Sequence, residues 1–279
     1  MPVRIIIDST ADLAPELVSR VHIVPLTVSF GAEEYIDGIT ITHEEFYNKL
    51  IESDVLPTTS QATPAVFAKV FTEVAAAGDS AVVITVASQL SGTCQSARIA
   101  AGDYDNIYVV DSGSVTLGAG ILAEYALRCA DQGMSAAEIA ARLEEKKEDI
   151  CLIAMLDTLE YLKKGGRISA AVAFAGGLLN IKPVVNVKDG VIHMLGKARG
   201  SRQGNNLLVQ EIHKAGGIDC TMPILLGYSG LSDALLKNYI ADSAPLWENG
   251  VEVLRYTSIG SVVGTHVGPG AIAAAFFHK

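Results

Sequence analysis

Residues 81–97, AVVITVASQLSGTCQSA, constrain the fold of this chain more than any other stretch. Residues 81–87 form a short apolar run rich in valine and isoleucine, the composition of a buried strand. The run gives way abruptly to Ser88, Gln89, Ser91, Gly92 and Thr93, and then to a helical segment carrying Ala97, Ile99 and Ala100. A strand that ends in hydroxyls at the start of a helix gathers backbone N–H donors and side-chain oxygens into one small volume. Such a volume suits a carboxylate or a phosphate. The same residues also fit a plainer role in which Ser91 or Thr93 only caps the helix, and the stretch by itself leaves both readings open.

The strand-then-helix order recurs along the first half. Residues 3–7 read as a buried strand ending in Asp8-Ser9-Thr10, with Asp12 or Ser9 capping a short helix over residues 11–20. Asp8 stands where open α/β sheets place ligands. No second acid is close enough in sequence to make a metal motif, so Asp8 is read as closing the turn or orienting its neighbours. Residues 21–30 are extended and interrupted by Pro25, and EEYIDGITIT fits a hairpin or excursion with Gly38 near its turn. Thr42 and Glu45 have capping-box spacing, which predicts a helix over residues 44–53 with His43 facing solvent. Between Pro57 and Pro64 the residues Thr58, Thr59, Ser60, Gln61 and Thr63 concentrate polar groups where regular structure must break. This is either an ordinary loop or a second polar lip opposite Ser91 and Thr93. A helix over 65–77, a strand over 106–110, a helix over 115–132 and a capping-box helix from Ser135 to about residue 148 complete the alternation. The pattern predicts a mostly parallel sheet covered on both faces. There is no GxGxxG after the first strand and no GxxxxGK[ST], which argues against dinucleotide binding and a Walker-type ATPase.

In the second half, residues 151–155 read as a strand and 156–163 as a short helix ending against Gly165-Gly166. The lysines of KKGGR suit a helix terminus. Arg167 suits binding or partner contact as well, because paired glycines permit close backbone approach beside a forked guanidinium. Ser169 is placed to cap an apolar segment over 170–179. Residues 182–187 and 191–195 flank Asp189-Gly190, a strong hairpin signal. Lys197, Arg199 and Arg202 form a compact basic cluster before a helix over 203–214. Residues 221–227, 231–241 and 251–256 make a second βαβ-like run. Composition changes around residues 151–166, so the domains are placed at 1–155 and 156–279. In GTHVGPG, glycines around His266 leave its imidazole presentable from a flexible loop, able to bond a carboxylate or to protonate when one binds.

At 279 residues the chain has room for two domains, and its net charge of −10, with no dense Lys/Arg stripe, argues against non-specific nucleic-acid binding. Cys94, Cys129, Cys151 and Cys220 are widely spaced, which predicts reduced thiols and no metal site. The start, MPVRIIIDST, lacks signal-peptide order, and no apolar run reaches the roughly 18 residues of a membrane span. The cytoplasm is the expected compartment.

Five separated segments carry a resemblance: IIDSTADL at 6–13, TTSQATP at 58–64, SGTCQSA at 91–97, GGRIS at 165–169 and GTHVGPG at 264–270. In this order they resemble the DegV family of bacterial proteins, which includes the fatty-acid-binding FakB subunits of fatty acid kinase. The resemblance implies a two-domain fold, a mostly parallel-sheet α/β amino-terminal domain followed by an α+β carboxyl-terminal domain that completes a lipid-binding cleft. One long-chain fatty acid would lie in an apolar tunnel furnished by segments such as 170–179, 115–127 and 271–277. Its carboxylate would be held by Thr59 or Ser60, by Ser91 with the backbone of Gly92 and Thr93, and by His266. Arg167 would lie near the cleft and meet a separate kinase subunit or its phosphate. That partner would bring ATP and Mg2+, while this chain would bind no cofactor or metal, hold no catalytic residue, and at most touch a membrane surface transiently. Cys94 departs from the larger residues of many relatives and would alter the width of the pocket edge. A fatty-acid sensor or carrier with no kinase partner is the alternative. A hydrolase built on Ser91, His266 and Asp8 or Asp111 is the more distant rival, since GYSGL around Ser229 is not a GxSxG nucleophile elbow.

Overall fold

The computed structural model describes residues 2–168, 180–247 and 254–279. Its first part runs β1 (Val3–Asp8), β2 (His22–Val24), β3 (Thr27–Phe30), β4 (Glu33–Ile36), α1 (His43–Glu52), β5 (Thr58–Ser60), α2 (Pro64–Ala76), β6 (Ser80–Thr85), α3 (Thr93–Ala101), β7 (Ile107–Asp111), α4 (Thr116–Asp131) and α5 (Ala136–Lys146). The chain continues with β8 (Ile150–Met155), α6 (Glu160–Lys164), β9 (Ile181–Lys188), β10 (Val191–Arg199), α7 (Ser201–Lys214) and β11 (Leu225–Tyr228). It closes with α8 (Ala234–Asp242), α9 (Ala244–Trp247), β12 (Tyr256–Ser258), α10 (Ser261–Val267) and β13 (Ile272–Phe277).

Strands β2-β1-β6-β7 form a parallel sheet in that order. The apolar run at 81–87 is its interior, and residues 81–87 are all buried. One face packs on α1 and α2 through Phe46, Phe67 and Phe71, the other on α4 and α5 through Leu122, Ile139 and Leu143. The capping boxes form as read, Thr42 with Glu45 and Ser135 with Glu138. A second sheet, ordered β10-β9-β8-β13-β11-β12, is antiparallel except for the β11–β12 pair. Helix α4 lies between the two sheets, where Leu117 and Ile121 meet Leu152, Ala273 and Phe277. That position explains why a helix with apolar residues nearly all round is stable here.

Several expectations are corrected by this architecture. Residues 11–20 hold only a 3-10 turn at Pro15–Arg20 with no side-chain cap. Ser9 and Asp12 are committed elsewhere: Ser9 Oγ accepts from the Leu26 N–H at 3.0 Å, and the Asp12 carboxylate accepts from the Gly260 N–H at 3.0 Å and from Thr116 Oγ1 at 2.5 Å. His43 does not face solvent but is half-buried, with Nδ1 2.8 Å from Ser258 Oγ. The β3–β4 hairpin turns at Gly31, while Gly38 turns the loop that follows it. Residues 221–224 precede β11 and are not strand. Strand β8 is hydrogen-bonded to β13 and β9, so a division between 155 and 156 would separate it from its own sheet. Ser169 and residues 170–179, read as a cap and an apolar segment, lie outside the described residues, as do residues 251–253 of the last expected strand.

Candidate functional site

The site forms where β5, the β6–α3 loop, the end of α6 and α10 converge. Strand β5 pairs antiparallel with β3, setting Thr59 opposite Val28. Alternation along the strand then separates neighbours. Thr59 is turned inward, its Oγ1 3.0 Å from His266 Nε2, whereas Ser60 is exposed and takes no part in the cavity wall.

His266 sits in the last turn of α10, not in a flexible loop. Gly264 is needed for packing: a Cβ there would come within 2.8 Å of the Phe46 ring and 2.7 Å of the Tyr47 hydroxyl. Gly165 does the same for the imidazole, since a Cβ at 165 would overlap Nδ1 and stand 2.9 Å from Cε1. The ring is held between Thr59 and this glycine. Its Nδ1 is buried without a hydrogen-bond partner among the described residues. Burial, and secondarily the Arg167 guanidinium, push the His266 pKa down to about 4, so the ring is neutral at pH 7. A buried N–H without an acceptor is rarer than an acceptor without a donor. We therefore assign the Nε2–H tautomer, with Nε2 donating to Thr59 Oγ1 and the threonine hydroxyl proton free to donate into the cavity.

Arg167 follows α6. Its Nη1 donates to the Gly165 carbonyl at 2.6 Å and its Nε to the Leu90 carbonyl at 3.3 Å. Among the described residues no carboxylate pairs with it. On the opposite wall Ser91 Oγ and Thr93 Oγ1 are 2.9 Å apart, and Ser91 Oγ accepts from the Thr93 N–H at 3.3 Å. Helix α3 takes Gly92 as its cap position, and Ser91, just before it, satisfies only the first helical N–H, that of Thr93. Thr93 itself is buried behind Ser91.

Thr59, Ser91, Gly92, Arg167 and His266 line one cleft of about 200 Å³. Thr10 and Gln61, which the family resemblance does not place at the head group, also line it. Thr10 is set by Asp8, whose carboxylate accepts from the Thr10 hydroxyl at 2.6 Å, the Thr10 N–H at 2.9 Å and the Val86 N–H at 2.7 Å. Asp8 thus closes its turn and ties β1 to the β6 loop. Gln61 donates to Ser96 Oγ at 2.9 Å and lies directly against Gly92, which has no Cβ to obstruct it. Thr59 and Gln61, between the two prolines, and Ser91 and Gly92, after β6, are in this way two lips of one opening.

Beneath the cleft a second, apolar chamber shares Val115, Leu162, Ile192, Val263 and Val267 with it and continues to Ala154, Val185, Ala271 and Ala273. Only parts of the expected tail segments reach it: Val115 and Thr116 from one, Ala271 and Ala273 from the other. Cys94 is buried, outside the lining of both cavities, with burial pushing its thiol pKa up, so it does not form the pocket edge. The hydrolase arrangement is not assembled. Ser91 bonds Thr93, His266 bonds Thr59, Asp8 bonds Thr10, and Asp111 accepts from the Ser88 and Gly113 N–H groups. Ser229 is engaged with the Gly268 carbonyl and the Ala271 N–H.

The model of the DegV family, described as an uncharacterised protein family, matches residues 2–279. The chain belongs to the DegV family. A DegV domain-containing protein of Caldanaerobacter subterraneus subsp. tengcongensis is 34% identical over 283 residues, covering 99% of each chain. One from Deinococcus radiodurans is 33% identical, covering 99% of this chain and 98% of its own. Among solved structures, a fatty-acid-binding DegV protein from Thermus thermophilus superimposes with a TM-score of 0.89 at 31% identity over 100% of both chains. A stearic-acid-binding protein from Eubacterium ventriosum gives 0.88 at 28% identity over 99% of this chain and 98% of its own. The Streptococcus pneumoniae fatty acid kinase B3 protein loaded with linoleic acid gives 0.87 at 22% identity over 100% of both, which shows a shared fold. The DegV-like mixed α/β fold expected from the sequence, a parallel sheet followed by a second sheet domain, is the one observed.

Proposed function

We propose that this DegV protein binds one long-chain fatty acid and presents its carboxylate to a separate ATP-dependent kinase subunit, which forms the acyl phosphate. The observation that carries the reading is the junction of a polar lip, holding a guanidinium that no carboxylate pairs among the described residues, with an apolar chamber below it. Solved relatives that bind fatty acids support the ligand class.

The carboxylate accepts from the Thr59 hydroxyl, whose orientation His266 fixes, and from Ser91 and the Gly92 N–H across the opening. The Thr93 N–H backs this wall by donating to Ser91. Charge-assisted hydrogen bonds of this kind orient the head group. Each buried methylene of the tail contributes about 0.8 kcal/mol, so the chain supplies most of the affinity. Arg167 stabilises the negative charge and meets the partner's phosphate. ATP and Mg2+ belong to that partner, whose use of ATP places the pair in the cytoplasm.

The two backbone carbonyls that fasten Arg167 also fit a plain carrier, in which the arginine only builds the wall. An assay separates the two. Fatty-acid-loaded protein is added to an extract of its source cells with ATP and Mg2+, and acyl phosphate is trapped with hydroxylamine. We expect ATP-dependent hydroxamate that disappears with Arg167→Ala loaded to the same extent. Loaded wild-type protein that yields none leaves a carrier without a kinase.

A further inference from the structure

The helix that carries His266 is gripped from behind at its other end. Residues 258–261, which lead into α10, are each met by a side chain from the first half of the chain. Ser258 Oγ is 2.8 Å from His43 Nδ1, the Ile259 carbonyl accepts from Tyr47 Oη at 2.9 Å, the Gly260 N–H donates to Asp12 Oδ1 at 3.0 Å, and Ser261 faces the Asp37 carboxylate. His43 and Tyr47 belong to α1, Asp37 to the loop after β4 and Asp12 to the stretch after β1. Gly260 permits the convergence, since a Cβ there would stand 3.2 Å from both Asp12 Oδ1 and His43 Nε2. Helix α10 has no side-chain cap of its own, and this grip stands in for one.

Asp12 holds a second wall as well. Its Oδ2 accepts from Thr116 Oγ1 at 2.5 Å, and its N–H donates to the Thr116 carbonyl at 3.3 Å. Thr116 opens α4 with φ at +46°, a conformation β-branched residues rarely adopt, so it is kept there by its surroundings. One buried carboxyl therefore ties together two sides of the acyl chamber, Thr116 on α4 and, through Gly260, Ile259 and Val263 at the start of α10. The same helix brings Val263 and His266 to the head-group cleft. Asp12, Asp37, His43 and Tyr47 line neither cavity. Among the described residues no group of three or more acids, cysteines or histidines could hold a metal ion, so the cluster is not a metal site.

We propose that Asp12 and Tyr47 are positioning residues for fatty-acid binding: without touching the ligand they fix the start of α10 against α4 and α1, and with it the place of the His266 imidazole at the head group. The proposal rests on the fatty-acid reading of the cleft. Removing the Asp12 carboxyl leaves the Gly260 N–H buried without an acceptor and frees Thr116 to relax, so both walls lose their common tie.

The test compares Asp12→Ala, Asp12→Asn and Leu143→Ala with the wild type in three measurements: the dissociation constant for palmitic acid, stability in urea, and the NMR resonances of the His266 imidazole. Asp12→Ala should bind palmitic acid about tenfold more weakly or worse and shift the His266 resonances. Asp12→Asn should recover most of the affinity, because its Oδ1 still accepts from Gly260 and its amide reaches Thr116. Burial pushes the Asp12 pKa up to about 7, so the neutral amide stands in for a form the wild type itself populates at pH 7. Leu143→Ala empties a buried site on α5 outside both cavities and should lower stability while leaving the palmitic acid affinity and the His266 resonances unchanged. If Asp12→Ala does not fold, Tyr47→Phe decides: it deletes only the hydroxyl on the Ile259 carbonyl, and about a fivefold loss of affinity is expected. Wild-type affinity in folded Asp12→Ala or folded Tyr47→Phe overturns the proposal, as does an equal loss in Leu143→Ala, which would mean that affinity only follows stability. Wild-type protein that binds no fatty acid overturns the fatty-acid reading itself.

Discussion

Gly165→Ala isolates the placement of His266 from everything else in the site. Gly165 has φ −74° and ψ −10°, ordinary helical values, so alanine fits the backbone without strain. In the unfolded chain alanine has less freedom to lose than glycine, a gain of about 0.4–1 kcal/mol in stability. The side chain is the difficulty. The new Cβ would overlap His266 Nδ1 and lie 2.9 Å from Cε1 and 3.1 Å from the Tyr161 carbonyl. Restoring van der Waals contact at about 3.5–4.0 Å moves the ring by on the order of an ångström, away from Gly165. The 3.0 Å bond between Nε2 and Thr59 Oγ1 cannot keep its geometry through that shift. Losing it costs about 0.5–1.5 kcal/mol, and a disoriented Thr59 forfeits part of a charge-assisted bond of about 1.5–3 kcal/mol to the carboxylate. A net loss of about 2 kcal/mol is roughly a thirtyfold rise in Kd for a fatty acid. Displacement of a fluorescent fatty acid measures the affinity and thermal unfolding the stability. Wild-type affinity in a folded Gly165→Ala protein would refute the reasoning.

Four further outcomes follow from the same geometry. His266→Ala should weaken fatty-acid binding at least tenfold in the displacement assay with the fold intact by circular dichroism, and equal affinity would sink its assignment to the head group. Thr59→Val removes the hydroxyl and leaves the imidazole N–H without an acceptor, an expected loss of about five- to tenfold in the same assay, while Ser60→Ala should change nothing measurable. Burial, partly offset by Thr116 and Gly260, pushes the Asp12 pKa up to about 7 from its ordinary 3.8, so its contribution to stability is full at acid pH and is lost as pH rises through 7. The His266 pKa, lowered to about 4 from 6.5, works in the other sense, contributing fully above 6.5 and losing that contribution as pH falls towards 4. Urea midpoints of Asp12→Asn should therefore rise more steeply from pH 4 to 6.5 than those of the wild type, and an unchanged profile would contradict the Asp12 assignment. Leu117→Ala, at the buried contact between α4 and the second sheet, should cost about 2–5 kcal/mol in denaturant unfolding.

What was legible in the sequence was local. The apolar run at 81–87, the two capping boxes and the Asp189-Gly190 hairpin each depend on residues a few positions apart, and each formed. Thr59 could have been separated from Ser60 had TTS between its prolines been read as a strand, because alternation then sends the two side chains to opposite faces. The rest was set by contacts across the chain. His43 meets Ser258, 215 positions away, and nothing near His43 announces it. The glycines around His266 suggested a loop, yet Gly264 lies within a helix because Phe46 and Tyr47 press against it. Gly165 had been read for backbone freedom beside Arg167, whereas its decisive neighbour is the ring of His266, 101 positions on. The apolar chamber was legible only through the family resemblance, since its walls read equally well as core.

Native mass spectrometry of the purified protein, followed by denaturing extraction and identification of what is released, tests the central claim most directly. The account predicts one equivalent of a long-chain fatty acid, retained by the wild type and depleted in His266→Ala. A protein that carries no lipid and takes up none from a panel of fatty acids would contradict it.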